Sequence, residues 1–178
     1  VLPPFALKAQ AALQGTALGQ PFTLTLQGDG PLGQWPVEGK IVSGDGASAR
    51  VGAPSGELHA LLTPFAAQAL KFMQLQFTGI DQSVFAKNAP GALLDIAANL
   101  ENQTAEASES GMSGHLSVLN RQSGAWDKGR LPVESLQSEV DWQGERLQLD
   151  GLLLGLAGGG RLKGQGAYAS GQLALDLA

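Results

Sequence analysis

The stretch AGGGRLKGQGAY, Ala157 to Tyr168, sets glycines around two basic residues, the ingredients of a phosphate-binding loop. Such a loop works because glycines let backbone N–H groups face an anion where a helix begins. No helix-forming run follows here, G-x-x-x-x-G-K-[ST] does not occur, and no glycine stands three residues after Gly160 to complete a dinucleotide fingerprint. The remaining chemistry is thin. His59 and His115 are far apart, each among apolar residues, with nothing at metal-ligand spacing. They read as outward-facing strand positions. Zero cysteines exclude thiolate sites and a disulfide framework. No serine sits in a G-x-S-x-G elbow. The acids Asp45, Glu57, Asp81, Glu101, Asp141, Glu145 and Asp150 are expected mostly at turns, as solvated carboxylates. These readings predict no catalytic residues, no metal, no cofactor and no enzymatic activity. The most singular string is GAWDKGRLP, in which Trp126 is expected to plug the end of a sheet from an ordered loop.

The elements that would carry such residues are read from alternation with period two, the signature of a strand with one buried face. Phe5, Leu7, Ala9, Ala11 and Leu13 alternate with polar residues, and Phe22, Leu24 and Leu26 follow across a turn as a hairpin partner. Val37 to Val42 (with Ile41), Ala47 to Val51, and Leu58 to Leu62 continue the pattern. Met73, Leu75 and Phe77 share one face after TPFAAQ, read as a bend or a single helical turn. Asp81 is placed to cap a short helix over residues 81–88, ended by Pro90 and Gly91. Strands resume at Leu94, Ile96, Ala98 and Leu100 and, after the polar link ENQTAEASESGMS, at Leu116, Val118 and Asn120. Leu136, Ser138, Val140 and Trp142 come next, then Leu147 and Leu149, then Leu152, Leu154 and Leu156 on the opposite parity, which predicts a bulge or corner near Gly151. Arg161 to Tyr168 and Gln172 to Leu177, with Leu173 and Leu175, complete about eleven strands. The glycines of the opening stretch, Gly164, Gly166 and Gly171, then belong in or beside strands, where a missing side chain permits a bend or a close approach.

Composition agrees: 25 glycines with 43% hydrophobic and 15% charged residues is too apolar for disorder and too glycine-rich for a helix bundle. The expected class is all-β, a long, curved, mainly antiparallel sheet with an apolar concave face open as a groove. A net charge of -5 with only 11 Lys and Arg argues against a nucleic-acid partner. No apolar run approaches the roughly 18 residues that span a bilayer. The first residues, VLPPFALKAQ, carry no initiating Met and no signal-peptide features, and residues 1–178 are read as a single β-rich segment of a longer protein.

The order of three motifs resembles the TamB family, the translocation and assembly module subunit of Gram-negative bacteria. Asp81, Ser83 and Phe85 match its first motif; Asn120, Gly124, Trp126, Asp127, Gly129, Arg130, Leu131 and Pro132 match a loop motif; and Gly158 to Gly166 match a glycine-rich strand. The match covers about residues 70 to 178, and the earlier part is similar in style only. The resemblance implies a periplasmic segment of an inner-membrane-anchored protein that bridges the two membranes, carries phospholipid, supports outer-membrane protein assembly and partners a TamA-like outer-membrane barrel.

On this reading the acyl chains lie along Phe22, Leu24, Leu26, Ile41, Leu58, Met73, Leu75, Phe77, Leu94, Ile96, Leu100, Leu116, Val118, Leu136, Val140, Leu147, Leu149, Leu154, Leu173 and Leu175. Two alternatives stay open at this level. The segment offers sheet edges to outer-membrane protein strands by β-augmentation, or it is a closed sandwich or barrel whose apolar face is only core.

Overall fold

The computed structural model describes residues 5–17, 20–43, 54–81, 89–103 and 111–178. Among them the alternating segments form β1 (Ala6–Ala17), β2 (Gln20–Pro31), β3 (Trp35–Ser43), β4 (Ser55–Leu62), β5 (Leu70–Asp81), β6 (Leu93–Asn102), β7 (Gly111–Asn120), β8 (Val133–Gln143), β9 (Arg146–Leu156), β10 (Arg161–Ala169) and β11 (Gln172–Leu177). Each strand pairs antiparallel with the next in sequence, giving one 11-stranded sheet in the order β1 to β11. β1 and β11 are its two edges, so the sheet is open and curved. This overturns the closed sandwich or barrel. The meander suits antiparallel neighbours, which a tight turn can join, as it does between β8 and β9 and between β10 and β11.

Period-two patterning fixes the register, since a one-residue slip would turn an entire strand over. Where the pattern changes parity, the ladder absorbs the extra residue in a bulge. In β5, Thr78 and Gly79 fall between the pairs Phe77↔Ile96 and Ile80↔Leu94, where β6 has only Asp95. Gly79 adopts φ 71°, and its N–H donates to Asp95 Oδ1 at 2.9 Å. The same carboxylate oxygen pairs with Arg121 Nη2 at 2.6 Å. In β9 the expected irregularity is present: Gly151 has φ 58°, and the register shifts beside it against both β8 and β10. Ser138 holds the β8 side of this bulge by donating its hydroxyl to the Asp150 carbonyl at 2.9 Å.

Several expectations change. Asp81 is the last residue of β5, and the remainder of the helix expected over 81–88 lies outside the described residues. Ala47 to Val51 and Asp45 also lie outside them. Of the two readings of TPFAAQ, a bend or a single helical turn, the structure takes the first, with turns and bends. β6 and β7 extend into the polar link, as far as Asn102 and from Gly111. Glu57, Glu101, Asp141 and Asp150 stand within strands, and among the described acids of that group only Glu145 is in a turn. Alternation accounts for Glu57, Glu101 and Asp150, which stand exposed on the solvated face of a one-layer sheet, whereas Asp141 on that face is half-buried.

Trp126 does not plug the sheet. It opens a 3-10 turn, Trp126–Lys128, and is 66% exposed. What ties the β7–β8 loop down is backbone and one asparagine. Gly91 N–H donates to the Gly129 carbonyl at 2.7 Å, Leu131 N–H donates to the Gly91 carbonyl at 3.1 Å, and buried Asn120 bonds to both sides of the loop. Trp126→Ala is therefore expected to change stability by less than about 0.5 kcal/mol in chemical denaturation, the range of exposed substitutions; a larger loss would restore the plug.

Candidate functional site: an uncovered apolar face

Cross-strand partners share a face, so the pairings show which side chains line up. One row crosses every strand: Ala9, Gly28, Val37, Ala60, Met73, Leu100, Gly114, Val140, Leu149, Gly166 and Leu175. Beside it run Ala11, Leu26, Gly39, Leu58, Leu75, Ala98, Leu116 and Ser138. Beyond that lie Leu13, Leu24, Ile41, Gly56, Phe77, Ile96, Val118, Leu136, Leu154 and Leu162. At one end of the same face are Asn102, Met112, Trp142, Leu147 and Tyr168, with the backbone of Leu173 opposite Tyr168. At the other end are Phe22 and Leu94. The register thus brings the sequence-derived groove candidates other than Leu173 to one face.

Glycines on this face act as sockets. A Cβ on Gly39 would stand 2.9 Å from Leu26 Cδ2 and 3.1 Å from Leu58 Cβ, and one on Gly28 would meet the Trp35 ring at 2.5 Å. Large side chains of neighbouring strands lie over the bare backbone, which smooths the surface and fills gaps that would otherwise lose dispersion contacts.

Among the described residues no second layer covers the face: the substantial strand–strand contacts are all between sheet neighbours. Shelter comes from within the sheet and is greatest near its middle. Leu100 is 6% exposed and Val140 7%, against 57% for Leu13 on β1 and 50% for Leu175 on β11. An open hollow of about 320 Å³ lies at one end, lined by Ala67, Gln68, Ala69 and Leu70 before and at the start of β5, by Asn102, Gly111 and Met112, and by Trp142 and Gly144 beyond. Its lining spans β5 to β8 through sheet neighbours: Asn102 stands opposite Met112, and Met112 opposite Trp142.

The opposite face is polar. Gln10, Gln27, Glu38, His59, Gln74, Asn99, His115, Glu139 and Asp150 form one cross-strand row. Gln27 Nε2 donates to Glu38 Oε2 at 2.9 Å, and His115 Nδ1 lies 3.0 Å from Glu139 Oε1. Both histidines thus occupy the outward strand positions expected of them. A shallow hollow of about 280 Å³ on this side includes Glu38, Lys40, Glu57 and His59. Among the described residues no group of three or more His, Cys, Asp or Glu is placed to hold a metal ion.

Sequence reasoning left Trp35, Leu62, Met112, Trp142, Leu152, Leu162 and Tyr168 out of the apolar set, although the register puts them on it. Parity within each strand would have found most of them. Leu152, only 2% exposed, shares the parity of Leu154 beyond the bulge expected near Gly151 and was legible in the same way.

The fold and face define an open β-sheet protein with one continuous apolar surface that no other described segment covers. No protein-family model, curated protein or solved structure matches the chain. Among the described residues no helix is long and apolar enough to cross a membrane.

Proposed function

We propose that this sheet carries the acyl chains of phospholipids along its apolar face, as a periplasmic segment of a TamB-like protein that is anchored in the inner membrane of a Gram-negative bacterium, works with a TamA-like outer-membrane barrel and supports outer-membrane protein assembly. It performs no catalysis. The observation that carries this reading is the uncovered apolar row through every strand. Leaving such a surface in water is costly, and monomeric soluble proteins rarely expose contiguous apolar patches of this kind without a binding role. Burying a methylene is worth about 0.8 kcal/mol, so about six shielded methylenes offset roughly 5 kcal/mol. Similar aliphatic side chains in successive strands offer many equivalent registers, which suits sliding.

A second reading is favoured by β1. This edge runs Ala6–Ala17 with Lys8 as its only charged residue, paired to Asp29 at 3.2 Å, and has little of the charge or proline that usually protects an edge from further strands. β-Augmentation by outer-membrane protein strands would use it.

A photo-crosslinker at Leu75, on the apolar face, is expected to capture co-purified phospholipid when the chain is produced in a Gram-negative host, and one at Gln76 is not. Leu75→Arg combined with Val118→Arg should abolish capture at neighbouring positions. A folded double variant that still carries lipid would refute the groove, whereas a wild-type protein free of lipid would favour the edge.

A further inference from the structure

Polar side chains interrupt the apolar face of the central strands β6, β7 and β8 at Asn102, Asn120 and Ser138. Two of them are consumed by the protein itself. Ser138 donates to the Asp150 carbonyl, and Asn120 both donates to the Val133 carbonyl and accepts from Leu93 N–H. Asn102 differs. Its Nδ2 reaches the Leu70 carbonyl at 3.4 Å, but its Oδ1 is buried and finds no donor among the described residues. Asn102 also lines the open hollow of about 320 Å³ at the end of the groove, beside Leu70, Met112 and Trp142. An acceptor buried without a donor is a penalty that a donor-bearing ligand would remove.

We propose that Asn102 is a headgroup anchor at the mouth of the groove, its carboxamide oxygen accepting a hydrogen bond from the primary ammonium of a phospholipid whose acyl chain runs past Leu100 and Ala98. The inference rests on the acyl-groove reading above. An amide oxygen can only accept, so it selects headgroups that carry N–H or O–H. The chain's net charge of -5 favours a cationic donor over a hydroxyl on an anionic lipid. A carboxamide gives orientation without the strong trapping of an ion pair, which suits a site that must also release.

The test incubates the 178-residue chain with vesicles of phosphatidylethanolamine, phosphatidylglycerol or phosphatidylcholine and quantifies retained lipid by mass spectrometry. Phosphatidylcholine has the same phosphate but no N–H. Wild type is expected to retain phosphatidylethanolamine several-fold over both others. Asn102→Leu should erase that preference while keeping total acyl binding, and Asn102→Asp, which preserves the acceptor, should keep it. Equal retention of phosphatidylglycerol and phosphatidylethanolamine overturns the ammonium assignment. Wild type loaded equally by all three, or a preference that survives Asn102→Leu in folded protein, overturns the anchor alone. A protein left empty by every vesicle overturns the groove and the anchor together.

Discussion

Replacing Gly114 with valine is expected to lower the melting temperature by about 6 °C or more. Gly114 pairs with Leu100 on one side and Val140 on the other, in the row that crosses the whole sheet. A Cβ at this position would run into the Asn99 carbonyl and stand 3.0 Å from Leu100 Cα. Those are backbone atoms of a central strand and cannot rotate away, so the β6–β7 ladder must separate locally. Overpacking alone costs about 1–3 kcal/mol, and opening a ladder in the most sheltered part of the sheet brings the total to about 3 kcal/mol or more. For a chain of this size each kcal/mol shifts the midpoint by about 2–4 °C. Gly33→Ala is the control: it lies in the β2–β3 turn, where a Cβ would meet nothing within 4 Å. Circular dichroism melts of both variants decide the matter; an unchanged midpoint for Gly114→Val would mean that β6 and β7 are not spaced as described.

Asn120→Ala is expected to cost about 3 kcal/mol and to release the β7–β8 loop, because several buried backbone groups lose their partner at once. Asn120 is 4% exposed. Its Oδ1 accepts from Gln122 N–H at 3.0 Å and Leu93 N–H at 3.2 Å, while Nδ2 donates to the carbonyls of Val133 at 2.9 Å and Leu131 at 3.4 Å. One side chain therefore fastens the start of β6, the end of β7 and the start of β8. Limited trypsin digestion should cut the variant faster after Lys128 or Arg130, both exposed on the loop. Asn120→Asp keeps the acceptor half and should fall between wild type and alanine. Cleavage of the alanine variant at the wild-type rate would show that the Gly91–Gly129 and Leu131–Gly91 backbone bonds hold the loop unaided.

Alternation made the strands and the apolar face legible in the sequence. Leu58, Leu75, Ala98 and Leu116 share a parity within their own segments, and pairing neighbours in order lines them up. The lack of clustered histidines and cysteines limited the chemistry before any fold was known. Parity is local, however, and three matters depended on contacts distant in sequence. Whether the sheet closes depends on the accumulated twist of all the strands, and β1 and β11 remain unpaired with each other. The place of Trp126 depends on what lies near the sheet end, where Asn120 and the backbone of Gly91 already satisfy the loop and leave the indole outside. The meaning of Asn102 depends on its surroundings: in sequence it is one polar residue in a polar link, and only the strand pairing that sets Leu70, Met112 and Trp142 around it makes its oxygen a buried acceptor. Residue pattern determined which side chains share a face, because side-chain direction alternates along every strand; tertiary structure alone decided that the face stays open and which of its polar groups lack a partner, because both depend on where non-neighbouring strands and turns come to rest.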